Sequence, residues 1–452
     1  MTAILLLTSA LSSAALPFVP APTGCAQAHC DAQLSDQAGL PPPPAGSIVK
    51  WHDDQAAGSN YALGCSSNGR RAACSFGLVP ARGPYLVVYD ADGQRLWDAP
   101  DVGPGAASSA PVIDAQGQVI AADGDFVYRF GVTGREIWRH ALPPQAGLPV
   151  SPVVTSGGFV VYATTGGLVG AVDSTDGTGI TRALEATIDG YSGVFVTRNT
   201  PASRGDRVYV VAEFQPDDND ASDVIGEPAR LYALDVSDGA IDVAWFYDVG
   251  GRSGASPTVV GDVVYFDADQ LTASGPTAPH FFAVRDTGPA GALVYAHPLT
   301  DPVIAPSGTG GALASAAHDP RGGLWLFTAG SARLVRLSET AARATGSPPR
   351  ARVLDDLDLS ALLGADAQPS SAVTLADGAS GPVGMMTALV DGDTRWLALD
   401  LVQGSLQNDV SLGSGLATWS AAQSPIITHP QTGASVVVLS TFSDGVLGIT
   451  VP

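Results

Sequence analysis

Short apolar runs separated by turns rich in glycine, proline and aspartate recur along most of this chain. Between Val150 and Ala183 the order is Val-Ser-Pro-Val-Val, a Gly-Gly turn, Phe-Val-Val-Tyr-Ala-Thr and a second Gly-Gly. Leu-Val-Gly-Ala-Val-Asp, Ser-Thr-Asp-Gly and Thr-Gly-Ile-Thr-Arg-Ala follow. Runs this short, β-branched and bounded by turn residues read as strands. Four of them form one antiparallel sheet, which cannot bury both of its faces alone. The phrase recurs on either side, and two equivalent strand starts, Pro111 and Pro152, stand 41 residues apart. Four-stranded sheets repeated at that period predict an all-β fold of sheets stacked about an axis, a β-propeller.

The same pattern divides the rest of the chain. Blade one is expected over about Asn60 to Val102, blade two from Ser109 to Leu142 and blade three from Ser151. Blade four begins near Tyr191 and carries an insertion from Gln215 to Pro228; blade five runs from Ala255 to Leu299. A degenerate blade six spans about Gly308 to Leu357, and Asp355 to Gly364 reads as a short helical connection. Blade seven starts at Ser370, and blade eight runs from Gln423 to Val451. The strand Ser47 to Asp53 has no partner nearby but resembles the Trp-bearing last strands of other blades, which blade eight lacks. It is expected to supply that strand and so close the ring without an open edge. The architecture is therefore an eight-bladed β-propeller of four-stranded antiparallel blades, with a seven-bladed ring as the alternative if blade six merges with a neighbour.

Ahead of the propeller (residues 47–452) the composition changes. Ala3 to Leu11 is an apolar run followed by Ser13-Ala14-Ala15, the pattern of a signal peptide over residues 1–15, although no Lys or Arg precedes it. A buried N-terminal strand is the other reading. Residues 16–46 are rich in Pro and Ala and read as an extended spacer, or as an ordered strap over the first blade. Export permits disulfides, and Cys25, Cys30, Cys65 and Cys74 can pair locally as Cys25–Cys30 and Cys65–Cys74. A four-residue loop from Asn68 to Arg71 would set Cys65 directly opposite Cys74; a two-residue Asn68-Gly69 turn would offset them. Cleavage after Ala28 would instead leave three cysteines. Pro22-Thr23-Gly24-Cys25 weakly resembles a lipidation signal that would place a lipid anchor on Cys25, again orphaning a cysteine. The expected location is secreted, periplasmic or cell-surface.

The 44 acidic and 22 basic residues give a formal charge of −22. Such a field repels phosphate backbones, so no nucleic-acid partner is expected, and the apolar run is too short for a transmembrane span. With 45% hydrophobic residues the chain is not disordered.

The phrase Ser-x-Pro-Val, a strand, Asp-x-x-x-Gly and then Trp resembles the PQQ-like repeat of quinoprotein-type eight-bladed propellers. Ser109/Pro111, Ser151/Pro152, Ser256/Pro257 and Ser424/Pro425 carry its first half; Gly93/Trp97, Gly134/Trp138 and Gly239/Trp245 carry its second. The resemblance implies that Trp51, Trp97, Trp138 and Trp245 pack between blades and that the glycines turn the chain into the outer strands. The quinoprotein enzymes it includes use an adjacent Cys-Cys disulfide over the quinone, a calcium ion and an Asp base. No two cysteines here are adjacent, and no acid aligns with that base. PQQ is therefore not expected. The resemblance points to an exported member without catalysis, a binding or scaffold module for a protein or glycan partner. The rival readings are a quinoprotein-like oxidoreductase, another enzyme with its site at the axis, and a self-associating structural component.

Local chemistry is sparse. Asp217, Asp218, Asp220 and Asp223 place oxygen ligands at spacings that suit calcium, but they lack the glycine and the bidentate glutamate of an EF-hand. A solvated acidic loop is the other reading. The seven histidines are scattered, with no Cys-x-x-Cys-His, Gly-x-Ser-x-Gly or His-Glu-x-x-His. His280 and His318-Asp319 are the ones to inspect for convergence at the axis. Carboxylates and histidine meeting there would favour an enzyme; an apolar plug would count against one.

Overall fold

The computed structural model describes residues 16–54, 64–77, 84–217, 228–251, 255–272, 275–300, 315–328, 331–342, 348–414, 423–441 and 445–452. The fold is a β-propeller. Blade one comprises Cys65–Ser67, Ala72–Ser75, Leu86–Tyr89 and Arg95–Asp98 in consecutive antiparallel order. Blades two (Val112–Ile113 to Glu136–Ala141), three (Val153–Val154 to Gly179–Ala183) and six (Ala317–His318 to Ala351–Asp358) repeat it. Blades four and five are joined in one ten-stranded sheet by a single pairing, Gly250 with Asp269. Blade seven adds the short strand Ala367–Pro369 to its four. In blade eight the N-terminal strand Ile48–Asp53 pairs antiparallel with Val446–Thr450 and closes the sheet, as its lone Trp-bearing pattern predicts. This division is consistent with eight blades.

Some boundaries differ from the sequence reading. Tyr191–Val196 belongs to an extra hairpin with Glu185–Ile188, and the first strand of blade four is Ala202–Arg204. Both segments are β-branched and bounded by turns, so the pattern cannot rank them. Asp355 to Asp358 completes the last strand of blade six, and only Leu359–Leu363 is helical. Asp358 caps this helix by accepting from the Ala361 N–H, and Gly364 ends it in the left-handed region.

The first strand of each blade faces the axis and the last faces solvent. In blade one the inner strand Cys65–Ser67 is buried along its length, whereas Arg95–Asp98 alternates half-buried and exposed positions. Because every pairing is antiparallel, connections from second to third strand and from blade to blade share one face. First-to-second and third-to-fourth turns share the other.

Two repeat features have mechanical causes. Two of the four strand-start serines tie neighbouring blades: Ser151 Oγ accepts the Ala110 N–H at 2.9 Å, and Ser256 Oγ accepts the Thr200 N–H at 2.9 Å. The glycines and tryptophans interlock across blades. A Cβ on Gly93, Gly134 or Gly177 would stand 2.4, 2.8 or 3.0 Å from the ring of Trp51, Trp97 or Trp138, each on the preceding blade. Trp138 also donates Nε1–H to the Ser174 carbonyl, and Trp245 donates to Asp286 Oδ1 in the blade-five turn. Each ring thus covers the next blade's turn, which bears glycine partly because no side chain fits beneath it.

Candidate functional site at the propeller axis

Residues 16–46 depart most from the expectation of an extended spacer. Phe18, Cys25, Ala26, Leu34, Asp36 and Ala38 are all 1% exposed or less. The segment runs inside the ring. Ser67 donates its N–H to the Cys25 carbonyl at 2.7 Å, Ile113 to Ala26 at 2.8 Å, and Val154 to the Gln27 side chain at 3.3 Å. Ser203 and Val259 donate to the Ala32 and Gln33 carbonyls, His318 to Ser35 at 2.9 Å, and Leu375 to Asp36 at 2.7 Å. These donors belong to the first strands of blades one to seven in order, so Cys25 to Asp36 follows the ring once around. Blade eight joins through Gln423, whose Oε1 accepts the Cys30 N–H at 3.0 Å and whose Nε2 donates to the Gln27 carbonyl at 2.8 Å.

The physical reason is the inner edge. The first strand of each blade has one side paired and the other turned to the axis with unsatisfied N–H groups, which a buried strand must satisfy. A small-residue segment curls tightly enough to reach them. Cys25, His29, Cys30, Leu34 and Asp36 all take positive φ, between 55° and 76°. The Cys25–Cys30 disulfide closes the first part of this coil. Gln-x-His, Leu-Ser-Asp and the two cysteines were the only signals, hidden by flanking Pro and Ala.

At the centre lies a polar cluster. His29 Nδ1 is 3.2 Å from both carboxylate oxygens of Asp36, and His29 Nε2 is 3.2 Å from Ser315 Oγ, just before the inner strand of blade six. Exposures are 6% for His29, 0% for Asp36 and 4% for Ser315. Burial pushes the Asp36 carboxyl up, against the pull of His29. Asp31 is likewise raised by burial, while accepting from the Ser35 hydroxyl, the Ser35 N–H and the Gln33 N–H. Beside them Gln37 bonds the His318 ring and carbonyl, and His318 Nε2 is 3.1 Å from Glu339.

The anticipated residues separate. His318 reaches the axial cluster, but His280 lies in blade five with Nδ1 2.7 Å from the Ala278 carbonyl, its pKa lowered by burial. Asp319 turns to Arg321, Arg336 and Trp325. Asp217 donates its N–H to the Ser192 carbonyl, whereas Asp218, Asp220 and Asp223 lie outside the described residues. Among the described residues, no three His, Cys, Asp or Glu converge as metal ligands. Cys65 stands directly opposite Cys74 and is bonded to it, the register of the four-residue loop. Cys25 is buried and bridged to Cys30. The disulfides fit an oxidising compartment. Among the described residues no helix is long and apolar enough to cross a membrane.

On the blade-connection face a cleft of about 750 Å³ opens between blades two and three, lined by Phe126, Leu142, Pro143, Pro144, Gln145 and Leu148, among others.

The family model described as outer membrane protein assembly factor BamB matches residues 82–213. No curated protein matches the chain. Among solved structures, quinohemoprotein alcohol dehydrogenase from Comamonas testosteroni is 13% identical with a TM-score of 0.56, covering 94% of this chain and 80% of that one. The Dos1 propeller is 9% identical with a TM-score of 0.51, covering 89% and 94%. BamB from Moraxella catarrhalis is 13% identical with a TM-score of 0.46, covering 90% and 96%. At these identities the likeness is one of fold. Residues 82–213 are thus similar to that repeat family, and the antiparallel four-stranded blades around them make the fold a β-propeller.

Proposed function

We propose that this propeller is an exported binding or scaffold module that engages a protein or glycan partner through its faces and takes no quinone. The observation that carries the reading is the filled axis. Residues 25–36 occupy the centre of the ring and satisfy the inner edges of its blades with their own carbonyls. A planar quinone with calcium would have to displace that coil. The buried disulfide joins cysteines five positions apart, not neighbours that could lie over a flat ring. The BamB description of the family matched over residues 82–213 is in keeping with an assembly role. With the axis taken, recognition falls to loops held on a rigid frame. The cleft at Phe126 and Pro143-Pro144 is one such surface.

The test is a titration with PQQ and calcium, following tryptophan fluorescence and the reduction of an electron-accepting dye with a panel of alcohols and sugars. The expected result is neither saturable quenching nor dye reduction at micromolar quinone; both together would overturn the reading. A second arm places a photo-crosslinking residue at Gln145, exposed on the cleft side, or at Arg70, exposed on the other face. Discrete adducts from one face in the native host support a binding module, and none from either face counts against it.

A further inference from the structure

We propose that the open strand edge from Gly179 to Ile188 is a docking site for an extended segment of a protein partner, one that alternates apolar and basic side chains and adds itself as a further strand. This site deepens the binding reading above and rests on it. Gly179–Ala183 is the outer strand of blade three, Glu185–Ile188 is the first strand of the extra hairpin, and only Leu184 separates them. Residues of an antiparallel pair turn their main-chain groups alternately toward the partner strand and away from it. Here the Thr178 carbonyl accepts the Asp173 N–H at 2.7 Å, Leu184 donates to the Gly167 carbonyl at 3.0 Å, and the Leu184 carbonyl accepts the Phe195 N–H at 2.9 Å. Even-numbered residues therefore face Leu168–Asp173 and then Tyr191–Val196 in one unbroken line. The N–H and carbonyl groups of Gly179, Thr181, Ala183, Glu185 and Thr187 face the opposite way, and none has a partner among the described residues. The result is a continuous edge roughly 30 Å long, at about 3.3 Å per residue.

The other outer strands are built against such pairing. Each carries a bulge, a residue with no counterpart in the strand beside it. Lys50 is that residue in blade eight, and Leu96, Ile137, Ala244, Val294 and Leu354 are those of blades one, two, four, five and six. The outer strand of blade seven is interrupted in the same way. A bulge twists an edge and breaks the spacing of its free groups, which hinders the addition of a strand. The pairings of Gly179–Ala183 and Glu185–Ile188 run without a register shift. Blade three thus lacks the device that the other blades share, and the hairpin lengthens its open edge instead of covering it.

The side chains set the chemistry of the partner. Ile180, Ala186 and Ile188 pack half-buried against the core and Leu184 is buried within it, whereas Thr181, Glu185 and Thr187 are exposed. A strand laid alongside continues both faces, with apolar side chains beside the first set and polar ones beside the second. Within residues 176–189 the exposed acids are Asp176, Glu185 and Asp189, and the one base, Arg182, is bound to the Ile241 carbonyl at 2.7 Å and paired with Asp242. With a net charge of −22, this favours lysine or arginine at the polar positions of the partner. A second copy of the chain would bring the same acids and the same net charge to the edge, so pairing of like edges is disfavoured.

The experiment titrates the full chain with a fluorescein-labelled peptide of about eight residues alternating valine and lysine, read by fluorescence anisotropy. Hydrogen exchange is measured with and without the unlabelled peptide. The expected result is saturable binding at micromolar peptide and none with a peptide alternating valine and glutamate. The N–H groups of Thr181, Ala183, Glu185 and Thr187 should exchange rapidly in the free chain and about tenfold more slowly, or slower still, once the peptide is bound. Thr187→Pro removes one outward N–H and spares the hairpin bonds, which Ala186 and Ile188 make; it should weaken binding about tenfold. Thr187→Val keeps that N–H and should bind as the unaltered chain does. Circular dichroism checks the fold of the proline variant, and the exchange pattern of the unaltered chain decides without it. Absence of saturable binding overturns the proposal, and so does binding that a folded Thr187→Pro leaves intact, which is charge attraction without an added strand. Slow exchange at these N–H groups before peptide is added also overturns it: the edge is then covered by the chain itself or, where protection rises with protein concentration, by a second copy. Crosslinked adducts from Gln145 or Arg70 without binding at the edge would refute this site and spare the wider binding reading.

Discussion

Replacing Gln423 with leucine tests whether the axial coil is held as described. The Gln423 side chain is 2% exposed and makes four hydrogen bonds: from the Cys30 N–H, and to the Gln27 carbonyl, the Cys65 carbonyl and Ser66 Oγ. One amide thus joins the coil, blade one and the strand start of blade eight. Leucine keeps roughly the volume and removes both polar ends. The loss is not four full desolvation penalties, because the Cys30 N–H also reaches the Gln27 carbonyl directly at 2.9 Å. With three to four net bonds lost at about 1 kcal/mol each, the coil should be weakened by about 3 kcal/mol. Since about 1.4 kcal/mol is a factor of ten, openings that release the coil should become about 100-fold more frequent. Native-state hydrogen exchange reads this at the N–H groups of Ser67, Ile113, Val154 and Ser203, whose bonds are made to the coil. Exchange in the outer strand Glu136–Ala141 should not change, because local opening leaves the blades intact. Gln431→Ala, at an exposed turn, is the control. Unchanged exchange at the axial amides, or a uniform rise across all blades, would refute the reasoning.

Three further outcomes follow from the same geometry. Gly448→Ala in the closing pair should cost about 1–3 kcal/mol in urea unfolding, since its Cβ would stand 2.0 Å from the Trp51 ring, a large side chain with little room to move. Peptide mapping without reductant should recover Cys25–Cys30 and Cys65–Cys74, and no thiol should react with iodoacetamide until the chain is unfolded and reduced. Stability should respond to acid with two signs. Burial alone would raise Asp286, but the bonds from Tyr209, the Gly288 N–H and Trp245, with the Arg207 charge, hold it below its ordinary 3.8. Its contribution is therefore complete above 3.8 and lost as pH falls through the folded value. Asp36 is raised by burial, so it destabilises above its folded value, and that cost fades as pH falls toward 3.8. Denaturation from pH 3 to 7 should therefore show Asp286→Asn flattening the acid limb and Asp36→Asn flattening the slope above it.

The blades were legible because their stabilising contacts are short-range or periodic. A strand, its turn and its hairpin partner lie within a few residues, so Cys65 opposite Cys74 follows from counting a loop. The closing strand could be placed because its lone Trp-bearing pattern had no other home. The axial coil was not legible. Its partners lie between residues 67 and 423, and no local pattern marks a segment whose burial comes entirely from elsewhere. Its alanines, which suit tight curling inside a ring, and the prolines that flank it are also the residues of a loose linker. His29, Asp36 and Ser315 share no motif because the serine is supplied 286 residues from the histidine.

The axial coil also bears on the order in which the molecule assembles. It precedes every blade, yet its last bonding partner, Gln423, stands at the start of blade eight. On a ribosome this segment would emerge before any blade and find its final environment only when the last of them had been made. Contacts of such sequence separation make for slow closure, and individual blades can collapse well before the centre is sealed. A late central step of this kind leaves a window in which seven inner edges are exposed together, open to any extended segment that reaches them first.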